Sequence, residues 1–96
     1  MLYLIPLYLF HSPGHTLDSI SVYDEVDKIL NIGDNAGDNL DDLIPSLSTS
    51  IEEYTETIQK YLSIEFKKVI SYHIGIQDKE ILNKIVNSPL LAEGHF

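Results

Sequence analysis

Hydrophobic positions fall into six groups along the chain, and their spacing changes from group to group. Leu2 to Phe10 is nearly all apolar or aromatic over nine positions, which suits a strand buried on both faces, and Pro6 marks an edge, a bulge or a break because it lacks a ladder donor. His11-Ser12-Pro13-Gly14-His15 is a turn by composition. Val22, Val26, Ile29 and Leu30 share one helical face behind Ser21 as N-cap and Asp24 and Glu25 in the first turn, so the spacing predicts a first helix that Gly33 ends. Residues 33–39 mix Gly, Asp and Asn, which tolerate left-handed backbone and bond their own main chain, and form a structured loop.

A short second helix fits Leu40 to Leu47, where Leu40, Leu43, Ile44 and Leu47 make a stripe that Pro45 shortens or bends. Ser50 caps a third helix through Leu62, with Ile51, Tyr54, Ile58, Tyr61 and Leu62 on one side. Between Ile64 and Ile76 the pattern fits alternation and a helical stripe alike; a strand over 68–74 with Gly75 as breaker is the reading adopted. Asp78 then caps a last helix bearing Ile81, Leu82, Ile85 and Val86, stopped before Pro89. The expected fold class is α/β, a small mostly helical single domain spanning 1–96, with about four helices on a short sheet made of strand 2–10 and strand 68–74.

Composition is consistent with one globular unit: 96 residues, 44% hydrophobic. The absence of Cys removes disulfides, thiolate metal ligands and a Cys nucleophile. The apolar start is too short to cross a bilayer and has no cationic flank, so a cytoplasmic location without membrane contact is the expectation.

Charge changes the picture more. Between Asp18 and Glu56 stand eleven acids against one base, Lys28, so this segment is net −10 in a chain of net −9. Such a field captures a cationic partner, and it disfavours nucleic acid, whose phosphates need Lys or Arg. All six basic residues are Lys, and there is no Gly-rich phosphate loop before a helix or Ser, His and acid set in a recognisable context, so tools for stabilising an anionic transition state are scarce. The paired carboxylates Asp41 and Asp42, or Glu52 and Glu53, have the residue types of a general acid and base with nothing else around them to support the role. Residues 34–42 fail the EF-hand spacing of oxygen ligands. His11 and His15 are four apart, a spacing that brings ligands together only on a helix, which Pro13 and Gly14 oppose. They read as loop residues, His73 as a strand or helix residue and His95 as part of the tail; no metal and no cofactor is expected.

Residues 16–47 resemble the barstar family of ribonuclease inhibitors. The resemblance rests on Leu17-Asp18-Ser19-Ile20-Ser21 ahead of a helix and on Gly37-Asp38-Asn39-Leu40-Asp41-Asp42-Leu43 leading into a second. It implies that Asp41 occupies a nuclease active site. Pro45 stands where the family has a second inhibitory aspartate, and Asn35 and Ala36 replace aromatic residues. The leading expectation is therefore a non-enzymatic immunity protein, of the kind that guards against bacteriocin or contact-dependent growth inhibition toxins, whose partner is a basic protein toxin, a nuclease. Its expected partner-binding residues are Asp34, Asp38, Asp41, Asp42, Tyr23, Ile44, Glu52 and Tyr54, the aromatic and apolar ones on condition of exposure. Two alternatives stand beside it: an acidic nucleic-acid mimic that inhibits a restriction or CRISPR system, and a small metal-dependent hydrolase using His11, His15 and His73.

Overall fold

The computed structural model describes residues 7–93 and, within the last helix, no side chains beyond Leu91. Five strands form one sheet in sequence order: β1 (Leu7–His11), β2 (Ile20–Asp24), β3 (Ile29–Gly33), β4 (Lys68–Ser71) and β5 (Gly75–Asp78). All neighbours are antiparallel except β3 and β4, which run parallel. A parallel pair needs a crossover, and here it contains the loop after Gly33 and helix α1 (Ile51–Leu62). Helices α2 (Glu80–Val86) and α3 (Pro89–Glu93) follow the sheet.

The mostly helical fold expected from the sequence is thus replaced by a five-stranded mixed sheet with three helices, of which only α1 reaches 12 residues. The expected first helix is the β2–β3 hairpin. Asp24, assigned to a helical first turn, ends β2, and its Oδ1 accepts from the backbone N–H groups of Val26 and Asp27 at 3.0 and 3.1 Å. That Asx turn and Lys28 in the left-handed region at φ 58° carry the chain into β3. The expected second helix, Leu40 to Leu47, is irregular: an isolated bridge joins Asn39 and Asp42. The strand expected over 68–74 ends at Ser71, and Gly75 opens β5 instead of breaking the structure. The residue before α2 is Lys79 rather than Asp78, and it makes no side-chain cap. Residues 2–6 of the expected first strand and His95 lie outside the described residues; β1, which follows Pro6, is an edge strand.

α1 forms where expected, with the Ser50 hydroxyl accepting from the Glu53 N–H at 3.1 Å. Its buried face, Tyr54, Ile58 and Tyr61, packs with Leu30 and Ile32 of β3, Val69 of β4, and Ile81, Leu82 and Ile85 of α2 in one core. Burial of such side chains contributes about 1.5–3 kcal/mol each. The row Leu9, Val22, Asn31, Ile70, Ile76 runs across the sheet in register on the opposite face, where Leu9 and Ile76 are exposed. Among the described residues no helix is long and apolar enough to cross a membrane.

Topology places the functional candidates. β2 is antiparallel to both β1 and β3, and β4 is parallel to β3, so β1, β3 and β4 all point one way. Their C-terminal ends therefore deliver three loops to one end of the sheet: Ser12 to His15 after β1, Asp34 onward after β3, and Tyr72-His73 after β4. The C-terminal ends of strands are where open α/β sheets place their ligands.

Candidate functional site

Those three loops enclose a pocket of about 270 Å³ lined by His15, Asp34, Ala36, Gly37, Asp38, Asp42, Ile44, Pro45, Ser46 and His73. It contains two imidazoles and three carboxylates, and no Lys. His73 Nε2 lies 3.5 Å from Asp34 Oδ1 and 3.9 Å from Asp38 Oδ1, with both Asp34 and His73 about half exposed. Two atoms each about 2.1 Å from a tetrahedral ion stand about 3.4 Å apart, so the Asp34 and His73 atoms have the separation of a ligand pair.

His15 is oriented differently. Its Nδ1 is 2.8 Å from the carbonyl oxygen of Ser46. A carbonyl only accepts, so Nδ1 carries the proton and a neutral His15 leaves Nε2 with a free lone pair. An imidazole whose second nitrogen donates to a backbone carbonyl is the usual preparation of a metal ligand. The donor chemistry of the pocket therefore fits a divalent ion. Its spacing is open: among the described residues no three His, Asp or Glu side chains close to the distances of a bound metal.

The loops are held tightly. Gly14 packs so closely that a Cβ there would lie 2.7 Å from Asn35 Oδ1 and 2.7 Å from Tyr54 Cδ1. Gly37 donates its N–H to Leu43 O at 2.7 Å, and a Cβ at Gly37 would fall 1.8 Å from Asp42 O. Only glycine fits there, and the contact folds 38–42 back into a closed loop in place of the expected helix. Thr57 of α1 donates to Pro13 O at 2.6 Å, tying the first loop to the helix.

Of the residues expected from the sequence to bind a partner, the structure brings Asp34, Asp38, Asp42 and half-buried Ile44 to this pocket. Asp41 is exposed next to it but lines other grooves. Glu52 is in the first turn of α1, and Tyr23 lies in β2 with its hydroxyl donating to Glu65 O. Tyr54 is fully buried, its hydroxyl donating to Asn35 O at 2.7 Å, and so does not meet the condition of exposure. Burial pushes the Tyr54 phenol far above its ordinary value. Of the histidine trio, His15 and His73 share the pocket while His11 bonds Leu17 O at 2.6 Å and lines separate grooves. His11 and His15 have the four-residue spacing of a helical pair but form none; the pairing that forms, His73 with Asp34, follows a strand end in each case, a signal visible only once β3 and β4 are paired.

No protein-family model matches the sequence, and no curated protein matches it. Solved structures match in fold. An archaeal metallo-β-lactamase superfamily protein from Sulfolobus tokodaii superposes with a TM-score of 0.67 at 23% identity, covering 83% of this chain and 32% of its own. A metallo-β-lactamase from Pontibacter korlensis gives 0.66 at 21%, covering 90% and 41%. The DIM-1 metallo-β-lactamase, solved after exposure to ceftazidime, gives 0.60 at 26%, covering 80% and 37%. The chain thus spans less than half the length of these proteins. Its fold is that of part of a metallo-β-lactamase-like structure.

These neighbours overturn the barstar-like reading and the immunity function drawn from it. The Gly37 to Leu43 pattern that carried the resemblance leads into no helix, and its acids belong to a loop around a histidine pocket. The expectation of a non-enzymatic inhibitor is corrected with it, as is that of a nucleic-acid mimic, because the neighbours are metallo-β-lactamases and a protein of that superfamily; the hydrolase alternative fits them better.

Proposed function

We propose that the pocket at the C-terminal ends of β1, β3 and β4 is a divalent-metal site of a hydrolase, with His15, Asp34 and His73 as the ligand side chains. The observation that carries the reading is the 3.5 Å approach of His73 Nε2 to Asp34 Oδ1 in a pocket that also holds His15 with its Nδ1 proton committed to Ser46 O. Three protein ligands with a fourth position open to water is the arrangement of catalytic zinc sites. A bound ion would supply Lewis acidity and lower the pKa of a water molecule towards neutrality.

The chain's own residues do the rest. Ser46 O holds the His15 ring in the tautomer that leaves Nε2 free, and Asp38 places a second carboxylate 3.9 Å from His73 Nε2. Asp42 adds negative charge to the pocket, which favours cations and is offset when a divalent ion enters. The names of the neighbours make a lactam or another acyl compound the first substrate class to examine.

Titration with Co(II) or Zn(II), followed by competition with a chelator, tests this reading. One ion per chain is expected, with His15→Ala, Asp34→Ala and His73→Ala each weakening binding at least about ten-fold and His11→Ala leaving it unchanged. No uptake by the wild type, or uptake that the His73 and Asp34 variants leave unaltered, overturns it.

A further inference from the structure

We infer that Asn35, which has no place among the ligands, is the positioning residue that holds the His15 and Asp34 loops in register; this rests on the metal-site reading above. Asn35 is 1% exposed and follows Asp34 directly. Its Oδ1 accepts from the His15 N–H at 2.9 Å, and its Nδ2 donates to Ser12 O at 2.7 Å and to Tyr61 Oη at 2.8 Å. The amide orientation is fixed by chemistry, since a backbone N–H only donates and a carbonyl only accepts. Its own main chain is equally engaged: the N–H donates to Ile32 O at 3.0 Å and the C=O accepts from Tyr54 Oη at 2.7 Å.

Beyond Asn35 the bonds continue into the core. Tyr61 Oη already accepts from Asn35, so its proton goes to Ser21 Oγ; the Ser21 proton then goes to Ser12 Oγ, 2.7 Å away, and that of Ser12 to Ser19 O. This is the assignment in which every hydroxyl proton has an acceptor. One planar side chain thus joins the loop carrying one ligand, the residue beside another and helix α1, and a displacement of Asn35 moves His15 relative to Asp34. Aspartate has the shape but lacks the two donors, and an apolar side chain leaves the His15 N–H, Ser12 O and one Tyr61 lone pair unpaired in the interior.

The experiment compares Asn35→Ala and Asn35→Asp with Ile58→Val, a core change of similar burial away from the loops. Both Asn35 variants are expected to weaken Co(II) binding at least about ten-fold and to alter the visible absorption of the bound ion, while Ile58→Val stays within about two-fold. In metal-free protein, amide exchange at His15 should accelerate at least about ten-fold in Asn35→Ala, with the Leu30 amide of β3 changing far less. Asn35 variants that match Ile58→Val in Co(II) affinity and spectrum overturn the inference. If Asn35→Ala fails to fold, Asn35→Asp decides through the Co(II) measurements. If the wild type takes up no metal, the metal reading fails, and the exchange result decides the clamp separately: acceleration confined to residues 12–15 upholds it, and uniform acceleration overturns it.

Discussion

Lys28 is the described non-glycine residue in the left-handed region, at φ 58°, and it explains why the β2–β3 hairpin is hard to see in the sequence. Hairpin loops announce themselves through Gly or Asn at the position of positive φ. Here a lysine stands there, behind Asp24, Glu25 and Asp27, and the acids read equally well as a helix start. Val22, Val26, Ile29 and Leu30 suit either reading by spacing alone; pairing with β1 and β4 decides between them. Replacing Lys28 by Gly relieves the Cβ clash that costs a residue about 1–2 kcal/mol in this conformation, against a glycine's larger loss of chain entropy. Lys28→Gly is therefore expected to raise stability by up to about 1 kcal/mol, because the Lys28 carbonyl still accepts from Lys67 and Lys68 N–H. Urea unfolding at neutral pH checks it, and a loss of stability would show that the lysine side chain contributes more than its backbone costs.

α1 was legible because its signals are local and agree with one another. Ser50 caps, Glu52 and Glu53 fill the first turn, Lys60 sits in the last, and the buried Tyr54, Ile58 and Tyr61 recur at helical spacing. Ser50→Ala removes the acceptor of the Glu53 N–H and should cost about 1 kcal/mol, or roughly 4–8 °C in thermal midpoint for a domain of this size. A shift below a degree would mean that the packing of the buried face alone holds the first turn. The stretch Leu40 to Leu47 carries an equally good apolar stripe, yet it forms no helix. Its conformation is fixed from outside the stripe, where Gly37 closes on Leu43 and Asp42 at a distance only glycine allows. The acids of that loop stand out in the sequence as a charge excess. Their neighbours, His15 and His73, lie 58 positions apart in the chain and meet through strand order, which no local pattern encodes.

At the scale of the molecule, the core that carries the sheet also carries two phenols, and this gives stability a defined dependence on pH. Tyr54 and Tyr61 are fully buried between α1 and β3, and burial raises both above the ordinary value near 10; for Tyr61 the polar side chains of Ser12, Ser21 and Asn35 around it offset the rise in part. Below about pH 10 each is neutral in the folded and the unfolded chain, and the full stabilisation is present. Above it the unfolded chain loses protons that the folded chain keeps, so each tyrosine lowers unfolding free energy by about 1.4 kcal/mol per pH unit until the folded phenol itself ionises. Stability measured by urea unfolding should accordingly be level towards pH 9 and fall steeply between pH 10 and 11. Tyr54→Phe should reduce that slope by the share of one proton, whatever it does to stability at neutral pH, since slope counts protons and not packing. A profile equally steep in wild type and Tyr54→Phe would assign the alkaline loss to other groups.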